Sequence, residues 1–201
     1  MKLILGIGFI LLFFTSFAKL PENQFVYLNS GFSLGNYGGV QIGINFAVNN
    51  QFSFQLEYFG AIRSSKSIPS DYSMGIIDIL TLGLSTPKDN VNSFRIMAGK
   101  VKNINQKGTI RINFKGGLSF LTIKEPYNWE KINGLLIVSN YTWDYKARQQ
   151  IAFVLKPDFE FAFANFMGVT VTPVGEFSGD YSFYGVGINL LFGKVRQKPK
   201  I

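Results

Sequence analysis

Along residues 40–48, Val40, Ile42, Ile44, Phe46 and Val48 share one parity, and Gln41, Gly43, Asn45 and Ala47 the other. The rhythm resumes with Phe52, Phe54, Leu56 and Tyr58 against Ser53, Gln55 and Glu57. A period of two marks a β-strand whose two faces meet different surroundings. The pattern recurs in 109–123, where Ile110, Ile112, Phe114, Leu118 and Phe120 oppose Arg111, Asn113, Lys115, Gly117 and Ser119. In 151–164, Ile151, Phe153, Leu155, Phe159, Phe161 and Phe163 oppose Ala152, Lys156, Asp158, Glu160 and Ala162. In 182–193, Tyr184, Val186, Ile188, Leu190 and Phe192 oppose Gly185, Gly187 and Asn189. Weaker alternation in 25–34, 93–102 and 168–177, together with the pair 39–49 and 52–62, predicts eight strands.

The strong strands run to about ten residues, enough to cross a bilayer when tilted. Their connections alternate in kind. Short turns rich in Asn and Gly, which tolerate positive φ, fall at 49–51, 103–108 and 165–168. The intervening connections are two long links, 63–92 and 124–150, and two short ones, 35–38 and 178–181. All the tight turns therefore gather at one end and the long loops at the other, the layout of an all-β, closed, antiparallel up-and-down transmembrane β-barrel. An alternative count of ten adds 74–85 and 134–143 as strands. The irregular spacing of Ile76, Ile77, Ile79, Leu80 and Leu82 suits a short helix or a loop plug better, so eight is the preferred count.

Composition decides which face is which. A soluble, lipocalin-like carrier of an apolar ligand would turn its apolar parity inward and cover its outside with Lys, Glu, Asp and Thr. Here the polar parity is mostly Gly, Ala, Ser, Asn and Gln, small enough to crowd a narrow lumen. The apolar parity is large and nearly free of charge, as a lipid-facing band must be, since a mid-membrane cation there costs ~2–4 kcal/mol. The charges on the small-residue parity balance in sign: Arg63, Arg111, Lys115 and Lys156 against Glu57, Asp158, Glu160 and Glu176, with Arg95 a further cation from 93–102. Buried charges need partners, so these residues are expected to form an ion-pair network that fills the lumen. A narrow small-solute channel is the reading if the lumen is poorly filled.

Lys2, the apolar run Leu3 to Phe14 and Ser16-Phe17-Ala18 read as a signal peptide over 1–18. The barrel is then expected over 19–193 and a basic tail over 194–201, with Lys194, Arg196, Lys198 and Lys200. The chain carries a formal charge of +8. Its basic residues are scattered outside the tail and export is expected, so no nucleic-acid partner is.

The strand–turn–strand GVQIGINFAVNNQFSFQLEYFG resembles the second and third strands of small outer-membrane β-barrel proteins of Gram-negative bacteria. YSFYGVGINLLFG resembles their closing strand, with the aromatic Phe192 at its end. The resemblance covers most of 25–193 and is one of pattern. It implies an outer-membrane location, contact with outer-membrane lipid, and insertion by the outer-membrane assembly machinery, which reads a terminal aromatic. In this chain GKVRQKPKI follows that aromatic.

The chain has no His and no Cys. That excludes Ser-His-Asp and Cys-His nucleophiles and any site needing a His or Cys ligand. The Cα atoms of Asp158 and Glu160, at i and i+2 of a strand, lie roughly 6.5–7 Å apart, near the spacing that an inverting glycosidase uses between its carboxylates. Lys156 on the same face favours ion pairing instead. Asp71, Asp78 and Asp89 lie in one long link without the spacing of a compact cation loop. No enzyme activity, cofactor or metal is expected. Tyr127, Trp129, Tyr141, Trp143 and Tyr145 lie in 124–150 among Lys124, Glu130, Lys131, Lys146 and Arg148. They are candidates for contact with an extracellular ligand or protein, or for an interfacial girdle. The expected function is non-catalytic, structural or surface-interacting, through loops 63–92 and 124–150.

Overall fold

Eight antiparallel strands follow one another around a closed ring: β1 (Gln24–Gly35), β2 (Gly38–Val48), β3 (Phe52–Ser64), β4 (Lys88–Asn103), β5 (Ile110–Lys131), β6 (Tyr141–Phe161), β7 (Met167–Phe177) and β8 (Ser182–Lys194). β8 returns to pair with β1, from Val26 opposite Lys194 to Gly35 opposite Gly185, so no sheet edge remains open in the band where these strands run. The computed structural model describes residues 21, 23–49, 51–81, 83, 85–132 and 137–196. The expected signal peptide, Lys198 and Lys200 lie outside the described residues.

The pleat sorts the side chains as the alternation demands. Val40, Ile42, Ile44, Phe54, Leu56, Phe94, Ile96, Leu118, Phe153 and Ile188 point outward and are exposed, while Gln41, Asn45, Gln55, Asn113 and Asn189 are buried in the lumen. An apolar girdle of this extent has no stable aqueous counterpart, and it is the surface a bilayer requires. A lipocalin-like carrier needs the inverse arrangement, so that alternative fails on the orientation of every strand pair.

The ten-strand alternative also fails. Residues 76–80 form a short helix, α1 (Ile76–Leu80), within the β3–β4 link. Of the segment 134–143, residues 134–136 lie outside the described residues, and Tyr141 onward belongs to β6.

The link expected over 124–150 is mostly strand. β5 and β6 continue as a hairpin beyond their neighbours, pairing Lys124 with Ala147, Glu125 with Lys146, Tyr127 with Asp144 and Lys131 with Tyr141. The outward aliphatic face ends near Phe120 and Ile151, yet the ladder runs on for roughly 30 Å along the strand. A bulge between Tyr127 and Glu130 interrupts it, where Asn128 takes φ 54°. At the other end Asn49, at φ 55°, begins the tight β2–β3 turn.

Pro157 leaves a mark on β6. Pairing with β7 holds one register at Phe153–Leu155 and again at Phe159–Phe161, with no partners between. A proline cannot donate to the ladder, and the side chains of Lys156 and Asp158 on either side of it point into the lumen.

Candidate functional site

Inside the barrel, side chains form three layers. Tyr37, Phe59, Val91, Leu121, Ile123, Tyr181 and Phe183 make an apolar layer at the loop end. Phe25, Tyr27, Ala47, Val101, Leu191 and Val195 make another at the turn end. Between them lie the charges. The sequence predicts a lumen crowded with small and polar residues around an ion-pair network; toward both rims the inward parity turns apolar, and the charged groups between these layers are buried.

Arg95 is the hub of that middle layer. Its Nη1 donates to Glu57 Oε1 at 2.9 Å and its Nη2 to Glu176 Oε2 at 2.5 Å, while Ser93 Oγ donates to Glu176 Oε1 at 2.7 Å. The guanidinium also stacks over the Phe59 ring, 4.0 Å from its centroid, which ties the charges to the apolar layer above. Lys156 donates to the remaining oxygen of Glu57, which also accepts from Asn29 and Gln55. Lys115 and Lys156 stand directly opposite one another on β5 and β6. Their repulsion is relieved because Lys156 turns to Glu57 while Lys115 donates to Asp158, Gln55 and Asn45. Lower in the lumen Arg111 donates to Glu160 and, at 2.6 Å, to the carbonyl of Val195; Tyr27 OH donates to Glu160 Oε1 at 2.8 Å.

Seven of the eight residues expected in the network thus meet in the lumen, and Arg95, a secondary candidate, joins three strands. Arg63 is placed elsewhere. It sits at the loop-end rim, partly exposed, with its Nη2 2.8 Å from Asp89 Oδ2 and its guanidinium 4.3 Å from the Tyr37 ring centroid. Asp158 and Glu160 have no room for a substrate: Lys115 and Thr172 occupy the two oxygens of Asp158, and Arg111, Tyr27 and Asn113 occupy those of Glu160. All of these groups are buried.

At the loop end the β3–β4 link is fastened onto the protruding hairpin. Asp71 is the clasp: its carboxylate accepts from Lys131 Nζ at 2.6 Å and Tyr141 OH at 2.8 Å, and its carbonyl accepts from Asn140 Nδ2 at 2.8 Å. These two side-chain hydrogen bonds, Lys131 first, hold the Asp71 carboxyl below the ordinary aspartate value, and the same contacts raise Lys131 and Tyr141. Asn140 Oδ1 accepts from Ser73 N at 2.7 Å. Tyr72 then closes an aromatic stack with Trp129, Trp143 and Tyr141, whose ring centroids lie 5.6–6.4 Å apart. Of the five aromatic candidates, Trp129, Tyr141 and Trp143 therefore build the cap, while Tyr127 and Tyr145 remain exposed.

α1 sits inside-out for a helix in water. Asp78 is buried, accepting from Gly75 N at 2.9 Å and Ser85 Oγ at 2.5 Å, whereas Met74, Ile76, Ile77, Ile79 and Leu80 are exposed. Ile137 and Val138 of the hairpin tip are exposed as well, and Ile77 N donates to Ile137 O at 3.2 Å. Gly75 permits this approach, because a Cβ there would meet Ile137 O at 2.5 Å. Asp71, Asp78 and Asp89 serve three separate tasks, and no group of His, Cys, Asp or Glu that could hold a metal gathers among the described residues. A cavity of about 490 Å³ opens at the same end, walled by Arg63, Lys66, Glu125, Arg148 and Asp180 over Tyr37 and Tyr181.

A closed eight-stranded ring, an apolar outer girdle, a filled lumen and long structures at one end define a small transmembrane β-barrel. Solved structures of that class share the fold. The N-terminal β-barrel domain of Pseudomonas aeruginosa OprF aligns with TM-score 0.53 and 11% identity, covering 85% of this chain and 97% of that domain. Ail, the attachment invasion locus protein of Yersinia pestis, aligns with TM-score 0.50 and 9% identity over 87% of this chain and 99% of Ail. Neisserial surface protein A aligns with TM-score 0.50 and 10% identity over 86% of this chain and 97% of its own. At such identities the likeness is one of fold. No protein-family model and no curated protein matches the chain.

Proposed function

We infer that this is a non-catalytic barrel of a Gram-negative outer membrane whose task is to hold the β3–β4 link and the β5–β6 hairpin as one ordered surface outside the cell. The observation that carries this reading is the Asp71 clasp and the Tyr72–Trp129–Trp143 stack beneath an exposed aliphatic tip. The fastening holds Ile76, Ile79 and Leu80 exposed on an ordered surface, and an exposed apolar patch marks a contact surface. The sealed lumen leaves the barrel as an anchor. Ail, an attachment invasion locus protein, and Neisserial surface protein A share its fold, which agrees with a surface role. Residues 1–18 act as a cleaved signal in this reading, and the assembly machinery inserts the barrel with the tight turns in the periplasm.

The test replaces 66–86 and 125–147 with short turns. The barrel should still fold and reach the membrane, and cells carrying it should lose whatever attachment or envelope phenotype the intact protein confers. A truncated barrel that keeps every such phenotype contradicts the proposal.

A further inference from the structure

The positive charge that carboxylates do not balance gathers, among the described residues, at one end. Among the described residues, each lumen cation in the middle layer has a carboxylate to match, and the cations of the loop end, such as Arg63, Lys131 and Arg148, are interspersed with Asp89, Asp71 and Glu125. Lys100, Lys102, Lys107, Lys194 and Arg196 all lie at the turn end. No acidic side chain of the described residues is exposed there, since Asp158 and Glu160 are buried.

Two of these cations are placed on the wall of the barrel. Lys100 and Lys102 share the outward parity of β4 with Phe94 and Ile96, continuing the lipid-facing row toward the turn end. Register sets Lys100 between Phe52 of β3 and Phe114 of β5, both exposed, and Lys102 beside Ile112. Both lysines are exposed, and neither makes an ion pair with another described residue. Same-face neighbours on a strand stand roughly 6.5–7 Å apart, so the two ammonium groups reach one headgroup zone. A lysine at the edge of a hydrocarbon band extends its charge to the interface and lays its methylene stem on the apolar surface below.

From this we propose that the turn-end edge of β3, β4 and β5 is a binding surface for anionic phospholipid in the leaflet it meets. The phosphate lies at Lys100 and Lys102, and the acyl chains lie on Phe52 and Phe114. Charge complementarity and continuity with the lipid-facing girdle both favour this partner over an acidic protein or polymer, which would approach the turns end-on. Lys107 and Arg196 add longer-range attraction to the same leaflet.

The test is lipid selectivity of the refolded barrel in phosphatidylcholine vesicles, read by electron spin resonance of spin-labelled phosphatidylglycerol and phosphatidylcholine. Wild type should bind the anionic label at least roughly fivefold more strongly at low salt, the effect of one fully effective lysine, and salt should weaken the preference. Lys100→Gln/Lys102→Gln should abolish most of it. Lys100→Arg/Lys102→Arg and the loop-end control Lys124→Gln/Lys146→Gln should retain it. Equal association of both labels with wild type overturns the proposal. So does a preference that survives the glutamine pair, or one that the loop-end control removes.

Discussion

Arg95 faces Glu57 across the β3–β4 ladder, 2.9 Å from Nη1 to Oε1, and the same guanidinium reaches Glu176 on β7 from the opposite wall. One side chain therefore spans the lumen where a conducting barrel would have its path. Arg95→Met leaves Glu57 with Lys156 but strips Glu176 of its cation. It should destabilise the barrel by about 3–5 kcal/mol, the cost of breaking a buried pair from one side, measured by urea unfolding in detergent micelles.

A compensated replacement should behave differently. Lys115 and Asp158 pair with each other as charges, while Gln55, Asn45 and Thr172 complete their hydrogen bonds. Either Lys115→Met or Asp158→Leu alone should cost several kcal/mol, and the double variant should recover much of that loss, because an apolar pair carries no desolvation penalty. A double variant as unstable as the sum of the two would show no coupling between Lys115 and Asp158 and would contradict this reading of the pair.

The outer face is tested by depth. Ile44→Arg, in the middle of an outward row of β2, should lower folding stability by ~2–4 kcal/mol, whereas Thr122→Arg, where the aliphatic face of β5 gives out, should cost near zero. Equal penalties in a vesicle folding assay would contradict the assigned membrane boundary.

The cap should loosen in acid. The Asp71 carboxyl titrates below its ordinary value because Lys131 and Tyr141 donate to it. Its contribution is therefore complete above the unfolded-state value near 3.8 and lost as pH falls through the lower folded value. The two tryptophans of the chain both sit in the adjoining stack. Their fluorescence should change on acidification in wild type. Asp71→Asn should show the loosened signal already at neutral pH.

Gly75→Val should release the same cap by another route. Its side chain would collide with the backbone of Ile137 and Val138, so protease should cut 65–87 faster while the barrel's far-ultraviolet circular dichroism stays unchanged.

The strands were legible because a bilayer outside and a crowded lumen inside impose opposite chemistries on alternate residues. The protruding hairpin was not. Tyr127 and Trp129 also alternate with polar residues, but without aliphatics, and aromatic–polar alternation reads equally as loop. Arg95 stood out less than its partners because its inward row continues through Met97 and Val101, which blur the parity. The rim pair Arg63–Asp89 depends on a register set across the whole β3–β4 link, and nothing local in the sequence specifies it. The apolar lumen layers escaped for a related reason: parity says which way a side chain points but not how deep it lies.

The central claim, that the clasped link and hairpin face the exterior while the tight turns face the periplasm, has a direct measurement. The chain has no cysteine, so Ser70→Cys in the link and Gln106→Cys in the β4–β5 turn each introduce a unique thiol. In intact cells a membrane-impermeant maleimide should label Ser70→Cys fully and Gln106→Cys only after the outer membrane is permeabilised. Labelling of Gln106→Cys in intact cells, with Ser70→Cys protected, would contradict the account.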